Sequence, residues 1–180
     1  MNRRNRIQSV CMAAVIAALY AVLTLCLPML SYGPVQVRFA EALTVLPFFF
    51  PEAIPGLAVG CFIANLLGSP YVLDWVFGTL ATLLAALWTA RLRNRWLAPL
   101  PPVLCNMVIV GAEIAWFEVG FTAGFGTAWL WNGCTVALGE LICCYVLGPL
   151  LLRYLPHITP LWERVPEARR ALAAPPEQAP

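Results

Sequence analysis

The chain contains no lysine, little charge and a single histidine. All eleven basic residues are arginine, and only 11% of the 180 residues are charged. The absence of lysine excludes a phosphate-binding loop of the Walker type, Schiff-base chemistry and a lysine general base. The one histidine, His157, lies near the C-terminus. Zinc motifs that need several histidines within a helix are therefore excluded as well.

Apolar residues are far more abundant than in a soluble domain. They make up 61% of the chain, whereas soluble domains contain roughly 45–50%. A soluble domain of this size buries only about 70% of the surface that its unfolded chain exposes. We therefore predict an integral membrane protein, whose surplus apolar surface faces lipid.

The spacing of the cysteines is not typical of a disulfide-bonded domain or of a metal site. They are odd in number, show no C-x-x-C spacing, and lie in or beside apolar stretches. The seven positions are Cys11, Cys26, Cys61, Cys105, Cys134, Cys143 and Cys144. A disulfide scaffold or metal knuckle would need paired, regular spacings. We expect the cysteines to pack as small apolar residues, and we expect no metal and no cofactor.

Six apolar segments account for the surplus. Residues 7–30 carry no charge and exceed the ~20 residues needed to cross the hydrocarbon core. Further apolar segments follow, so this stretch is not a cleaved signal. Prolines at 47, 51 and 55 divide residues 38–67 into a hairpin of two short helices. The predicted spans are 7–30, 38–50, 56–67, 75–90, 102–117 and 128–152, which indicates an all-α bundle of six transmembrane helices.

The arginines favour cytoplasmic N- and C-termini. With six spans in this orientation, ten of the eleven arginines lie on the inner side, and Arg38 is the exception. We therefore expect a multi-pass protein of the bacterial cell membrane, with a membrane domain over 1–154. Residues 155–180 contain six prolines and are expected to form a loose cytoplasmic tail. A short surface helix through Leu161, Val165, Ala168 and Leu172 is the alternative.

Polar residues of five predicted helices converge at one depth, on the outer side. Placing an ionisable side chain within a membrane segment costs a free energy of at least a few kcal/mol, so each such residue is expected to have a structural or functional role. The candidate substrate-binding residues are Arg38, Glu41, Asn65, Asp74, Asn106, Glu113, Trp131, Asn132 and Glu140. Together they predict a pocket that is open to the outside.

Most of these residues also have a simpler explanation. Arg38 and Glu41 are three residues apart and could pair with each other, and Asp74 could cap a helix. Asn106 could bridge two helices, and the tryptophans could belong to an interfacial belt. Glu140 has apolar neighbours on both sides, so it should face a partner or a cavity.

Carboxylates outnumber basic groups in the predicted pocket, and aromatic residues are close by. A carboxylate accepts two parallel N–H bonds from an amidine-like edge, and aromatic rings cover flat or cationic ligands. The predicted ligand is therefore flat and rich in nitrogen, with hydrogen-bond donors or a positive charge.

The first helix carries rows of small residues. Ala13, Ala17 and Ala21 recur at four-residue spacing, and Ala14 and Ala18 form a second row. Such rows allow another helix to approach closely. We predict that they dock a partner, although alanine richness of the whole chain would also produce them.

Five stretches of the chain carry a resemblance to a known family. They are GPVQVRFAEALTVLPFF (33–49), AIPGLAVGCFIANLLG (53–68), LDWVFGTLATLLAA (73–86), LPPVLCNMVIVGAE (100–113) and VALGELICCYVLGPLL (136–151). These stretches resemble the QueT family of energy-coupling factor (ECF) transporter S components. The resemblance implies six helices, an outward-facing site near the loop between helices one and two, and docking through an alanine-motif helix one. It also implies a transmembrane T component with two cytoplasmic ATPases, and a queuosine precursor such as an aminomethyl-deazaguanine as the substrate.

Three other functions remain open. A self-sufficient proton-coupled carrier would use Glu140 as its relay. An intramembrane enzyme is disfavoured, because the chain has neither a G-x-S-x-G motif nor a histidine within a predicted span. A scaffold subunit would pair its polar groups internally. We expect a small-molecule transporter rather than an enzyme, with no nucleic-acid partner.

Overall fold

The computed structural model describes residues 3–31, 36–158, 163–167 and 169–170. Every regular element in these ranges is helical. The α-helices are α1 (Arg3–Leu25), α2 (Pro28–Ser31), α3 (Ala53–Gly68), α4 (Asp74–Thr89), α5 (Leu100–Val119), α6 (Phe125–Ile142) and α7 (Gly148–Tyr154). A 3₁₀ helix spans Phe39–Phe48, a π turn Cys143–Leu147, and short 3₁₀ turns Arg95–Leu97 and Leu155–His157.

The helices form a bundle whose surface is apolar and whose interior contains charged side chains, as expected for a protein surrounded by lipid. Three helical stretches in the described residues are long and apolar enough to cross a membrane, namely Arg6–Leu25, Arg95–Val119 and Phe125–His157. Three shorter apolar helices, Phe39–Phe48, Ala53–Gly68 and Asp74–Thr89, complete a set of six. Large apolar side chains such as Val10 and Val76 are exposed, whereas Arg38 and Glu41 are buried. The prediction of an all-helical membrane bundle with six helices is confirmed.

The second membrane segment is a 3₁₀ helix and not an α-helix. Its backbone N–H groups bond three residues back, as from Glu41 to Arg38. A 3₁₀ helix rises about 2.0 Å per residue. Ten residues therefore cover roughly 20 Å, which an α-helix would need about 13 residues to span. The segment is buried along nearly its whole length, so it forms the centre of the bundle.

Helices α1 and α3 pack through small residues on both sides. A Cβ atom at Gly56 would lie 2.5 Å from the Ala13 carbonyl oxygen, and one at Gly60 would lie 2.7 Å from that of Ala17. Ala17 and Ala21 are each only 8% exposed. The row Ala13, Ala17 and Ala21 therefore packs within the chain, which corrects its prediction as a partner-docking face.

The second alanine row differs in its surroundings. Ala14 and Ala18 are exposed, on the side of α1 that also presents Val15 and Leu19. Docking of a partner on α1 therefore remains a prediction for Ala14 and Ala18 alone.

Part of the predicted tail is attached to the bundle. Val165 is 2% exposed and belongs to the main apolar core. Arg169 donates to the Leu92 carbonyl oxygen at 2.5 Å, and its guanidinium carbon lies 5.5 Å from the Phe48 ring centroid. The prediction of a loose tail is therefore corrected for 163–167 and 169–170. Leu161, Ala168 and Leu172 of the alternative surface helix lie outside the described residues.

Candidate functional site

Eight of the nine predicted substrate-binding residues are buried. They are Arg38, Glu41, Asn65, Asp74, Asn106, Glu113, Asn132 and Glu140. The ninth, Trp131, is 72% exposed and stands outside this group. Asn132 donates to the Glu118 carboxylate at 2.7 Å, so this amide already has a partner at the surface.

Arg38 and Asp74 join the start of the 3₁₀ helix to the start of α4. The Arg38 Nη2 atom lies 3.9 Å from Asp74 Oδ2, and Arg38 also donates to Gln36 Oε1 and to the Ser31 carbonyl oxygen, each at 3.4 Å. The segment that precedes Arg38 lies against Gly139 of α6, where a Cβ atom would overlap the Gln36 carbonyl oxygen. Glycine at that position therefore allows Arg38 to enter the bundle.

Asn65 ties the end of α3 to the start of α4. Its amide nitrogen donates to the Asp74 carbonyl oxygen at 2.9 Å. A Cβ atom at Gly78 would lie 2.6 Å from both the Asn65 amide nitrogen and Asp74 Oδ1. Gly78 is therefore part of the site, because a larger residue there would displace two polar side chains.

Glu41 lies at the middle of a second set of contacts. Its Oε1 atom accepts a hydrogen bond from the Tyr20 hydroxyl and one from Thr82 Oγ1 at 3.2 Å. Thr82 Oγ1 also lies 3.3 Å from Cys61 Sγ, which is 3.5 Å from the Asn65 amide nitrogen. These contacts connect Glu41 to Asn65.

Glu140 and Asn106 form a third set of contacts, between α6 and α5. The Asn106 amide donates to Glu140 Oε1 at 3.0 Å. Cys144 Sγ lies 3.5 Å from Glu140 Oε2 and 3.6 Å from the Glu41 carbonyl oxygen. Six predicted residues, namely Arg38, Glu41, Asn65, Asp74, Asn106 and Glu140, are thus linked in one buried network.

Glu113 faces two cavities next to this network. A small cavity of about 20 Å³ is shared with Asp74 and is bordered by Gln36 and Phe117. A groove of about 590 Å³ on the other side is lined almost entirely by apolar residues, including Trp116 and Trp129. Trp116 and Trp129 therefore line the same groove as the Glu113 carboxylate.

Buried acceptor oxygens without a hydrogen-bond partner gather around the network and this cavity. They are Glu41 Oε2, Asp74 Oδ1, Asn106 Oδ1, Glu113 Oε1 and Glu113 Oε2. Buried polar atoms are nearly always paired, so each exception requires an explanation. A ligand rich in N–H groups could donate hydrogen bonds to these oxygens, whereas a ligand that has only acceptors would leave them without a partner.

Several residues of the site were absent from the sequence prediction. Tyr20 and Thr82 hold Glu41, and Cys61 and Cys144 contribute sulfur contacts in addition to apolar packing. All seven cysteines are free. Thr82 could have been found as a polar residue within an apolar helix, but Tyr20 gave no such signal.

The model of one known protein family matches most of the chain. A family model described as QueT transporter matches residues 10–157. The chain belongs to the QueT transporter family. The QueT match includes every predicted substrate-binding residue and leaves out the first nine residues and 158–180. The predicted family is confirmed, and the protein is a multi-pass membrane protein of a transporter family.

A curated QueT relative covers part of this region. The chain is 36% identical over 83 residues to the "Queuosine precursor transporter QueT" of Lactococcus lactis subsp. cremoris (strain MG1363). This match covers 45% of the chain and 48% of the relative, so it spans about half the length of that protein. No solved structure matches the chain.

Proposed function

We propose that this QueT-family chain is the substrate-binding S component of an ECF-type importer for a queuosine precursor. The observation that carries the proposal is the group of buried, unpartnered acceptor oxygens on Glu41, Asp74, Asn106 and Glu113. A deazaguanine presents adjacent N–H donors on its guanine edge, and an aminomethyl substituent adds an ammonium. Such a ligand has the donors that these oxygens lack.

The network divides the proposed roles between binding and positioning. Glu41 and Glu113 each have an unpartnered carboxylate oxygen and are the proposed acceptors for the guanine edge and the ammonium. Glu140 already accepts a bond from Asn106, so it orients the amide whose oxygen remains unpartnered. Arg38 holds Asp74 through their salt bridge. Asn65 holds the same turn through the Asp74 carbonyl oxygen.

The site lies at one end of the bundle, which we assign to the outside. Arg38 begins the 3₁₀ helix, Asp74 begins α4, and Asn65 lies near the end of α3. The loop between α4 and α5 at the opposite end contains Arg91 and Arg93. The positive-inside rule then gives cytoplasmic termini and a site open to the exterior. The loop between the first two predicted helices, which the family resemblance places next to the site, includes residues 32–35, and these lie outside the described residues.

Transport requires partners in this proposal. A transmembrane T component would dock on the exposed α1 face that carries Ala14 and Ala18, because small residues allow close helix contact. Two cytoplasmic ATPases bound to the T component would supply the energy. The chain would act in the cell membrane as the subunit that selects the substrate.

Two measurements test the proposal. Mass spectrometry of small molecules that co-purify with the chain should detect a deazaguanine, and calorimetric titration with aminomethyl-deazaguanine should show one-to-one binding. Glu41→Gln should weaken this binding, whereas Glu52→Gln should not, because Glu52 is exposed in the turn before α3. Equal affinity in the two variants would contradict the proposed site.

A second experiment tests the transport mechanism. Vesicles that contain this chain alone should bind the substrate but not accumulate it, and accumulation should require the T component, the ATPases and ATP. Accumulation by the chain alone, driven by a proton gradient, would instead establish a self-sufficient carrier.

A further inference from the structure

The small cavity between α4 and α5 has room for a single ligand group. Its volume is about 20 Å³, and among the described residues both Asp74 and Glu113 line it. A cavity needs about 10–15 Å³ to hold one water molecule. The Asp74–Glu113 cavity can therefore hold one group of the size of water, whereas a heterocyclic ring is too large for it.

The two acids of this cavity have three oxygens that lack a donor. Asp74 is 5% exposed and Glu113 is 8% exposed. Asp74 Oδ1, Glu113 Oε1 and Glu113 Oε2 are buried and accept no hydrogen bond from the part of the chain that the structure describes. The other oxygen of Asp74, Oδ2, lies 3.9 Å from Arg38 Nη2. A group that enters the cavity therefore meets acceptors that require donors.

An aromatic pair forms another wall of the cavity. Tyr71 precedes α4 and Phe117 lies in the last turn of α5, and both line the cavity. Their ring centroids are 4.3 Å apart, with 30° between the ring planes. Aromatic rings attract cations that lie over their faces. The walls of the cavity therefore combine carboxylates and aromatic rings, which together favour a positively charged group.

The number of acceptors distinguishes between candidate groups. A primary ammonium carries three N–H donors and no acceptor, which equals the number of carboxylate oxygens without a donor. A hydroxyl has one donor, and a nitrile has none. A nitrile would also direct its nitrogen lone pair towards carboxylates.

We propose that the Asp74–Glu113 cavity is a subsite that selects a primary ammonium group on the substrate. This inference rests on the proposed function, in which the substrate is a deazaguanine. Asn106 lies seven residues before Glu113 on α5, so the two are about 10 Å apart along the helix axis. They therefore contact different parts of one ligand. The unpartnered oxygens of Glu41 and Asn106 bind the guanine edge, and the Asp74–Glu113 cavity binds the substituent.

Calorimetric titration of the purified full chain with three deazaguanines tests the proposal. The three differ only in the substituent, which is aminomethyl, dimethylaminomethyl or cyano. Since hydrogen bonds to charged groups are strong, the aminomethyl compound should bind about 10- to 150-fold more tightly than the cyano compound. The dimethylaminomethyl group keeps the positive charge but has one N–H donor and exceeds the cavity, so its affinity should also be at least about tenfold lower.

Glu113→Gln should change the order of affinities and not only their size. Glutamine keeps the shape of glutamate, but its amide nitrogen donates. The variant should bind the aminomethyl compound more weakly and the cyano compound at least as tightly as the wild type. A loss of folding would instead weaken the binding of both compounds.

The matched control is Glu118→Gln. Glu118 is an exposed residue of the same helix, and a glutamine there can still accept the hydrogen bond that Asn132 donates to it. This variant removes the same charge and should keep the wild-type preference for the aminomethyl compound.

The outcomes separate this inference from the proposed function. Equal affinities of the wild type for the aminomethyl and cyano compounds would overturn the ammonium subsite, while the binding of both would still support a deazaguanine transporter. A full wild-type preference in Glu113→Gln, or an equal loss of preference in Glu118→Gln, would also overturn the subsite. Failure of all three compounds to bind would overturn the proposed function and the subsite together.

Discussion

Replacing Glu113 by glutamine should lower the affinity for the ligand without lowering the stability of the fold. In the unliganded protein both carboxylate oxygens of Glu113 are buried and accept no hydrogen bond. Glutamine has nearly the same shape, so the substitution removes no internal contact and leaves the neighbouring cavity in place. The melting temperature of the unliganded variant should therefore equal or exceed that of the wild type.

The loss of affinity follows from the number of acceptors. A glutamine side chain keeps one acceptor oxygen and loses the negative charge. A hydrogen bond to a charged group contributes roughly 1.5–3 kcal/mol, and about 1.4 kcal/mol corresponds to a factor of ten. The affinity for aminomethyl-deazaguanine should fall about 10- to 150-fold.

Glu41 provides the informative contrast. Its Oε1 atom accepts hydrogen bonds from Tyr20 and Thr82, so Glu41→Gln should lower both the affinity and the melting temperature. Calorimetric titration and thermal unfolding in the same detergent measure the two quantities. Unchanged affinity in Glu113→Gln, or a fall in its melting temperature as large as that of Glu41→Gln, would refute the reasoning.

Three further predictions concern packing and the network. Gly60→Ala should lower the free energy of unfolding by about 1–3 kcal/mol, because its Cβ would lie 2.7 Å from the Ala17 carbonyl oxygen; Gly126→Ala, with no atom within 4 Å, is the control and should not destabilise. Asn106→Ala should weaken substrate binding more than Glu140→Gln, since glutamine at 140 still accepts the amide bond; the reverse order in a titration would contradict the proposed positioning role. Arg169→Gln should lower the melting temperature, because the guanidinium donates to carbonyl oxygens at the end of α4; an unchanged melting temperature would mean that this contact contributes no stability.

The sequence could predict the membrane bundle because lipid imposes a simple rule. Every span must be apolar and must satisfy its own backbone, so uncharged stretches and proline breaks identified six helices. The bounds moved by only a few residues, as in α4 (Asp74–Thr89), and the family resemblance was confirmed. The same rule made polar residues conspicuous, and eight of the nine predicted site residues are indeed buried.

Side-chain pairing was decided by the tertiary structure. Arg38 and Glu41 are close in sequence, yet the salt bridge of Arg38 is made with Asp74, which arrives on another helix. Ala17 contacts Gly60 of α3. The alanine row that the sequence predicted as a docking surface therefore packs inside the chain. Four-residue spacing defines a helix face, but only packing determines whether lipid, a partner or the same chain covers that face.

The amino-acid sequence by itself thus determined the membrane class, the number of apolar helices and the set of polar residues that are buried away from lipid. The tertiary structure alone decided which acceptors remain unpartnered, because hydrogen-bond satisfaction depends on distances between different helices. Glu140 and Glu113 have similar apolar surroundings in the sequence. Only the folded chain gives one of them an amide partner and leaves the other facing a cavity.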